Sequence, residues 1–271
     1  MYGQSNMRGN FKGRLIIALV IAAFALFSYY GKSEHNPFTG ESQRVAMTKG
    51  EEIALGLSAA PKMASEFGGL DASRVDQQRV DRVGARLLQG NSLRTSDYEY
   101  DFHLLADRQT VNAFALPGGQ IFITRAMYDR MKTDGELAGV LGHEIGHVVG
   151  RHGAERIAKQ QLTQGLAGAV GVAAGDQSGA QMAMMVGQVV NMKYGRGDEL
   201  ESDTLGVRFL AEGGYDPRAM LGVMKVLASM SKDGRPPEFF STHPNPENRI
   251  GVIEAAVKAL FPQGVPEELE R

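Results

Sequence analysis

The sequence predicts an α+β domain that is mostly helical, carries a small β-sheet and is preceded by one apolar N-terminal segment. Apolar residues recur at helical spacing both before and after a central stretch, residues 98–124, where apolar and polar residues alternate as in a strand. Hydrophobic residues make up 43% of the 271, which is enough for the core of one domain. Helices around a small sheet are typical of the α+β class.

The composition excludes several kinds of site and partner. The net charge is −2, from 29 basic and 31 acidic residues that are well mixed, so we expect no nucleic-acid partner. Cysteine is absent, which excludes disulfides, thiolate metal ligands and a cysteine nucleophile. Any bound metal must therefore be held by His, Asp or Glu. Nothing in the composition indicates an oligomeric state.

The N-terminus combines a basic segment, residues 1–14, with an apolar run, residues 15–30. The run is at the short end for a membrane span, which needs about 20 helical residues. A cleaved signal peptide and a buried core helix are the alternatives, and the basic residues ahead of the run argue against the core helix. We predict an uncleaved signal anchor with residues 1–14 in the cytoplasm and the remaining chain outside it. A soluble exported form, produced by cleavage, is the alternative location.

The first elements after the anchor follow from turn and capping signals. Residues 31–47 favour turns and are predicted to be a linker to a domain of residues 48–262, with a tail at 263–271. Thr48 and Glu51 form a capping-box pattern, which predicts a helix through about residue 64. Asp71 is expected to cap a second helix, whose apolar positions are Val75, Val80, Val83 and Leu87.

The strand pattern begins with Tyr98 and alternates as far as Leu105. Residues 111–124 are predicted to be a hairpin with Pro117-Gly118-Gly119 at its turn. Three more helix starts follow. One is a second capping-box pattern at residues 133–136, and the others are cap–proline pairs at residues 216–217 and 245–246.

The segment HEIGH at residues 143–147 carries the chemistry. On a helix, residues four apart differ by about 40° of rotation and one turn of rise, so His143 and His147 can bind one metal ion from the same face. Glu144 lies beside them and can reach a water without being a ligand. Neutral imidazole suits zinc, and a catalytic zinc takes three protein ligands and keeps one open position. An amphipathic helix with two incidental histidines is the alternative.

The third ligand is expected in the acidic segment at residues 197–203. If this segment is helical, Glu199 and Asp203 share a face, while Glu201 is turned by about 200° from Glu199. We predict Glu199 as the ligand and Asp203 as the carboxylate that orients a ligating imidazole through its free N–H. Glu201 is the alternative ligand, and a pair of charges on a solvated helix face is the simplest alternative to a site.

Five segments together resemble metallopeptidase family forty-eight, the HtpX-like and CAAX-prenyl-protease-like gluzincins, in the single-anchor exported form. They are NPFTG at 36–40, VNAFALPGG at 111–119, HEIGH at 143–147 with RH at 151–152, ELESD at 199–203, and STHP at 241–244 with Arg249. The resemblance implies a zincin-like fold, one Zn²⁺ per chain held by His143, His147 and Glu199, and endoproteolysis with Glu144 as the base. It also implies protein substrates and a role in clearing or maturing envelope proteins. Unlike the multi-spanning members, this chain has one convincing span.

Several further roles follow, each with an alternative. His243 is predicted to donate to the oxyanion of the transition state; the alternatives are a resting metal ligand and a surface histidine. The segment Asn112, Ala113, Phe114 and Ala115 is predicted to bind an extended substrate along a sheet edge, or else to be a plain core hairpin. Residues 161–192 are read as a lid or as ordinary helix packing. A zinc-containing chaperone that binds envelope proteins without cutting them is the alternative function.

Overall fold

The structure is a computed structural model that describes residues 7–174, 194–230, 238–244 and 248–270. The chain divides into two compact units, Met1–Ala46 with Ala154–Lys193 and Met47–Gly153 with Tyr194–Arg271. The α+β class with a mostly helical composition is confirmed. The second unit contains the sheet and every residue of the predicted metal site.

The first unit begins with helix α1 (Met7–Tyr30). Within it, Phe11–Tyr30 is long and apolar enough to cross a membrane, with a mean hydropathy of 2.0. Helical structure thus extends upstream of residue 15, into the segment predicted as a separate basic stretch. The predicted linker contains a short antiparallel pair of strands, β1 (Glu34–His35) and β2 (Ser42–Gln43), because the turn between them is closed by a hydrogen bond of 2.8 Å from Asn36 Nδ2 to Gln43 Oε1.

The sheet of the second unit has three strands, β3 (Asp101–Leu105), β4 (Ala113–Ala115) and β5 (Gln120–Thr124), in the order β3-β5-β4. Strand β5 is parallel to β3 and antiparallel to β4, which confirms the predicted hairpin. The alternating pattern was too long as a strand prediction, because Tyr98 lies outside β3 and donates a hydrogen bond to buried Glu52 instead. One sheet face packs against helix α2 (Lys49–Glu66) through Leu105, Phe114 and Phe122.

Helices precede and follow this sheet along the chain. They are α2 (Lys49–Glu66), α3 (Arg74–Leu88), α4 (Arg125–Tyr128), α5 (Asp134–Val149), α6 (His152–Ala174), α7 (Arg196–Glu212), α8 (Ala219–Met230), α9 (Phe239–Thr242) and α10 (Arg249–Leu260), with a 3₁₀ turn at Leu93–Thr95. The boundary between the two units falls inside α6, after Gly153. Residues 161–174 of the predicted lid continue α6, and the remainder of that segment lies outside the described residues.

The caps show which local signals were sufficient. The box at Thr48 and Glu51 is complete and opens α2, as predicted. At α5, Thr133 accepts from the N–H of Glu136, but the carboxylate of Glu136 accepts from the N–H of Lys132 instead of closing a box.

The prediction that Asp71 caps the second helix was wrong. Ser73 is the N-cap of α3, and its side chain accepts from the N–H of Asp76. Asp71 is engaged elsewhere, because both of its carboxylate oxygens accept hydrogen bonds from buried Arg125. Val75 at the start of the helix is exposed, whereas Val80, Val83 and Leu87 are buried as predicted.

The C-terminal elements follow the cap–proline signals in part. Asp216 accepts from the N–H of Arg218 just before α8. The pair at residues 245–246 lies outside the described residues, and α10 starts at Arg249. Within residues 263–271, the predicted tail, Glu270 pairs with Tyr215 through the backbone and forms an ion pair with Arg86.

Helix α5 lies at the centre of the second unit and is buried from Leu137 to Val149. It contacts α3, α7, α8 and strands β4 and β5. Glycines on α5 allow α7 to approach closely: a Cβ at Gly142 would lie 2.9 Å from Leu210 Cδ1, and a Cβ at Gly146 would lie 3.0 Å from Ser202 Cα. This packing brings side chains of α5 and α7 together in the interior.

Candidate active site

Helix α5 presents His143, Glu144 and His147 to the interior, and all three side chains are buried. The two histidines are one turn apart on the same face, so their Nε2 atoms lie only 3.1 Å from each other. Their rings are nearly perpendicular, at 81°. The predicted pairing of these imidazoles is therefore present in the fold.

Helix α7 brings Glu199 to the same point. Its Oε2 lies 3.5 Å from His143 Nε2 and its Oε1 lies 3.4 Å from His147 Nε2. His243, which follows α9, adds its Nδ1 at 3.1 Å from Glu199 Oε1 and 3.4 Å from His143 Nε2. One ligand atom from each of these four buried residues lies within 4.8 Å of the others, a group that could hold a metal ion.

The protonation states of the two α5 histidines test whether this group fits a cation. His143 Nδ1 lies 3.0 Å from Asp203 Oδ1, and a carboxylate only accepts, so Nδ1 carries a proton and, in the neutral imidazole that a metal ion requires, Nε2 carries a lone pair. His147 Nδ1 also has a hydrogen-bond partner, His152, on the side away from Glu199. Unprotonated nitrogens and a carboxylate thus converge, at spacings close to the ~3.3 Å expected between tetrahedral zinc ligands. The donor set fits a divalent metal ion.

Asp203 lies one turn after Glu199, and its environment explains how it can remain charged in the interior. Arg249 at the start of α10 donates to both carboxylate oxygens, at 2.7 and 2.6 Å. Burial by itself would raise the pKa of Asp203, but hydrogen bonds from His143 and Arg249 outweigh it and lower the pKa. Arg249 Nη1 also lies 3.2 Å from Glu199 Oε2, so one guanidinium balances two buried carboxylates.

Glu144 differs from the other buried acids because neither carboxylate oxygen has a hydrogen-bond partner among the described residues. Burial raises its pKa above the ordinary value. Its nearest basic atom is His243 Nε2, at 3.7 Å from Oε1. A buried, unpartnered carboxylate beside a group of metal donors is suited to hold a water molecule and accept its proton.

Aromatic rings enclose the histidines. Tyr194 stacks on His147 with ring centroids 4.0 Å apart, and Phe239 stacks on His243 at 4.3 Å. Neither ring was predicted to have a role, because a lone aromatic residue outside a motif carries no signal that would reveal one. Tyr194 also donates its backbone N–H to Thr242 O, which ties the start of α7 to the segment that bears His243.

Glu201, the alternative ligand, points away from the metal donors. Its Oε2 lies 2.8 Å from His152 Nε2, and its side chain is 24% exposed. His152 therefore lies between Glu201 and His147.

The segment predicted to bind substrate forms strand β4 and the residue before it. β4 is one of the two edge strands of the sheet and lies beside α5. Backbone hydrogen bonds join Thr124 N to Asn112 O and Leu116 N to Gln120 O. Antiparallel alternation therefore turns the main-chain groups of Ala113 and Ala115 away from β5. Asn112 is buried, and its Oδ1 has no hydrogen-bond partner among the described residues.

The chain is similar to several curated proteases. It is 32% identical over 225 residues to the β-barrel assembly-enhancing protease of Yersinia pestis, an alignment that covers 79% of this chain and 45% of that protein. The protein of that name in Escherichia coli strain K12 is 29% identical over 271 residues, with 96% and 54% covered. The mitochondrial metalloendopeptidase OMA1 of Schizosaccharomyces pombe is 29% identical over 242 residues, with 88% and 70% covered. The chain spans about half the length of the bacterial relatives.

A family model supports the same assignment. The model of peptidase family M48 matches residues 74–257, a range that includes α5, α7 and His243. The predicted class of enzyme, a metalloendopeptidase, is thereby confirmed at the level of the family. The chain belongs to peptidase family M48, as the motifs in its sequence indicated.

Proposed function

We propose that the chain is a zinc-dependent endopeptidase that hydrolyses peptide bonds of unfolded or misassembled cell-envelope proteins. The observation that carries the proposal is the convergence of His143, His147 and Glu199 beside the unpartnered carboxylate of Glu144. Two imidazoles and one carboxylate are a ligand set of catalytic zinc sites. When bound, such an ion acidifies water and polarises a carbonyl group.

Glu144 supplies the base. Its carboxylate has no competing hydrogen bond, so it can orient a water molecule and remove a proton from it. The same group can then deliver that proton to the nitrogen of the leaving amine. Its raised pKa, which results from burial, makes the protonated form accessible during this transfer.

His243 has two roles open to it. In this structure its Nδ1 atom stands within the donor group, which supports the resting form in which it closes the fourth position. A substrate carbonyl can enter that group only after His243 moves out of it. His243 Nε2 has no hydrogen-bond partner among the described residues, so a displaced His243 could donate an N–H to the oxyanion.

Strand β4 is the proposed platform for the substrate. The outward main-chain groups of Ala113 and Ala115 have no recorded hydrogen bond to any described residue. An extended peptide could pair with them as an added strand, which gives affinity with little demand on sequence. The unpartnered Oδ1 of buried Asn112 is suited to accept a further N–H from the peptide.

The apolar helix and the relatives support the proposed location and substrate class. The segment Phe11–Tyr30 supports a single-pass anchor in the cell membrane with the peptidase unit on the periplasmic side. Two bacterial relatives are named for enhancing β-barrel assembly, which supports envelope proteins as substrates. A zinc-containing chaperone remains the second candidate, although the unpartnered Glu144 favours the enzyme.

The direct test is the Glu144→Gln variant of the full chain in detergent. We expect it to keep stoichiometric zinc and to lose cleavage of casein by about 10³-fold or more, because a neutral amide cannot accept the proton. The variant Glu66→Gln, at the exposed end of α2, is the control and should cleave normally. Undiminished cleavage by Glu144→Gln would remove Glu144 from the mechanism, and a natural chain that binds casein without cutting it would favour the chaperone.

A further inference from the structure

A chain of hydrogen bonds extends from the predicted metal ligand His147 toward the surface. His147 Nδ1 lies 2.8 Å from His152 Nδ1, and His152 Nε2 lies 2.8 Å from Glu201 Oε2. His147 and His152 are both buried, whereas the side chain of Glu201 is partly exposed. The sequence gives no direct sign of this connection, because the three residues belong to α5, α6 and α7.

The direction of these hydrogen bonds follows from the acceptor at the far end. The Glu201 carboxylate can only accept, so His152 Nε2 is the donor, and in the tautomer with its single proton on Nε2 the Nδ1 atom carries a lone pair. His147 Nδ1–H must then be the donor to His152. This arrangement leaves His147 Nε2 unprotonated, and it is this atom that lies 3.4 Å from Glu199 Oε1 in the donor group.

An unusual turn places His152 in this position. Arg151, between α5 and α6, adopts the left-handed backbone conformation with φ of 55°, which is unfavourable for residues other than glycine. Its guanidinium donates to Glu52 Oε1 at 2.8 and 2.6 Å and to Met47 O at 2.8 Å. Both Arg151 and Glu52 are buried, so this ion pair holds the turn that directs His152 back toward His147.

The two histidines of α5 are thus supported differently. His143 bonds directly to Asp203, a carboxylate fixed by Arg249. His147 reaches its carboxylate only through the imidazole of His152. Without His152, the Nδ1–H of His147 would lose its recorded partner in the interior, and the ring would lose a restraint on its rotation.

We propose that His152 is a positioning residue that, backed by Glu201, holds the His147 imidazole in the tautomer and orientation required for metal binding. The inference rests on the metal centre proposed above and adds to it the imidazole of His152, which supports the ligand His147. It assigns Glu201 to the support of His152 and not to the metal. Support of this kind is worth about 10–100-fold in metal affinity where it has been removed from other sites.

The test measures affinity for zinc alone by chelator competition, using the full chain in detergent. We expect His152→Leu to weaken zinc binding by about 10–100-fold. His152→Gln should recover most of the affinity, because its amide oxygen can accept from His147 and its NH₂ can donate to Glu201. His103→Leu is the matched control, since His103 stacks on Phe122 away from the site and should not affect zinc affinity.

The absorption spectrum of the Co²⁺-substituted protein gives a second readout, which should change in His152→Leu and return toward the natural spectrum in His152→Gln. If His152→Leu does not fold, Glu201→Ala takes its place, with an expected loss of roughly tenfold. Natural affinity and spectrum in the folded leucine or alanine variant would overturn the inference and leave the metal centre intact. Failure of the natural chain to bind zinc would overturn both.

Discussion

Glu199 and Glu201 show how much the orientation of a single residue decides. They are two positions apart on α7, so their side chains point in directions that differ by about 200°. Glu199 is fully buried between histidines, and the favourable interactions of its carboxylate with the imidazoles around it outweigh the effect of burial and lower its pKa. Glu201 is partly exposed and bonds to His152. The same residue type therefore has two different functions in the proposed site.

This difference leads to a prediction for matched variants. Glu199→Gln should weaken zinc binding by more than about 100-fold, because it removes a charged ligand. Glu201→Gln should weaken it by less than about tenfold, since the amide oxygen still accepts from His152. Zinc content after dialysis against a graded chelator checks both variants, with thermal unfolding of the metal-free proteins as the control for folding. Equal losses would contradict the assignment of Glu199.

At this scale the sequence revealed residues whose positions depend on one helix. The convergence of His143 with His147, and the common face of Glu199 and Asp203, follow from helical geometry alone. His152 and Tyr194 could not be assigned in this way. His152 reaches His147 only because Arg151 adopts a left-handed turn held by the distant residue Glu52, and Tyr194 lies in no motif.

At the scale of elements, the turn of the β4–β5 hairpin is packed against α2. Gly118 has φ of 88°, and a Cβ there would lie 2.4 Å from Ile53 Cα. On the helix side, a Cβ at Gly56 would lie 2.1 Å from Pro117 O. The backbones of the turn and of α2 are therefore in direct contact. This contact holds in place the hairpin whose strand β4 is the proposed substrate-binding edge.

Gly118→Ala should consequently destabilise the protein by about 2 kcal/mol or more, the sum of left-handed strain and a contact with backbone that cannot move aside. Gly50→Ala is the matched control, because Gly50 lies in the first turn of α2 with nothing within 4 Å of its Cβ position. It should leave stability unchanged or raise it by up to about 1 kcal/mol. Chemical denaturation of both variants measures the difference, and equal stabilities would contradict the proposed contact.

The errors in predicting elements also have physical causes. The capping box at Thr48 was predicted correctly because all its partners lie within four residues. Asp71 has an equally suitable local sequence, but Arg125, more than fifty residues away, binds its carboxylate, and Ser73 caps α3 instead. Tyr98 continues the alternating pattern but bonds to Glu52 on α2 and so lies outside the strand.

At the scale of the whole molecule, the fold class was predictable but its topology was not. Hydrophobic periodicity and caps are local, and they indicated a small sheet among helices. The parallel pairing of β3 with β5 leaves β4 at an edge of the sheet. The paired segments are brought together by packing against α2 and α5. No local pattern encodes that choice.

The membrane anchor is the other prediction at this scale. We expect the chain to remain in the membrane fraction after alkaline extraction, because Phe11–Tyr30 is a 20-residue helix that is long and apolar enough to cross a membrane. N-terminal sequencing of that fraction should find a start before residue 15. The variant Leu19→Asp, in the middle of the apolar run, is the control and should reduce membrane retention. A mature start beyond Tyr30 would show instead that the segment is a cleaved signal.

The distance between α5 and α7 is limited by Gly146, since a methyl group there would meet the backbone of Ser202 at 3.0 Å. Glu199 stands one turn before Ser202, and His143 and His147 stand on either side of Gly146. The space available to an ion between the two helices thus depends on the absence of a side chain at Gly146, a residue that does not itself bind the ion. A search for variants with altered ion-size preference should therefore begin at position 146 and not at the ligands.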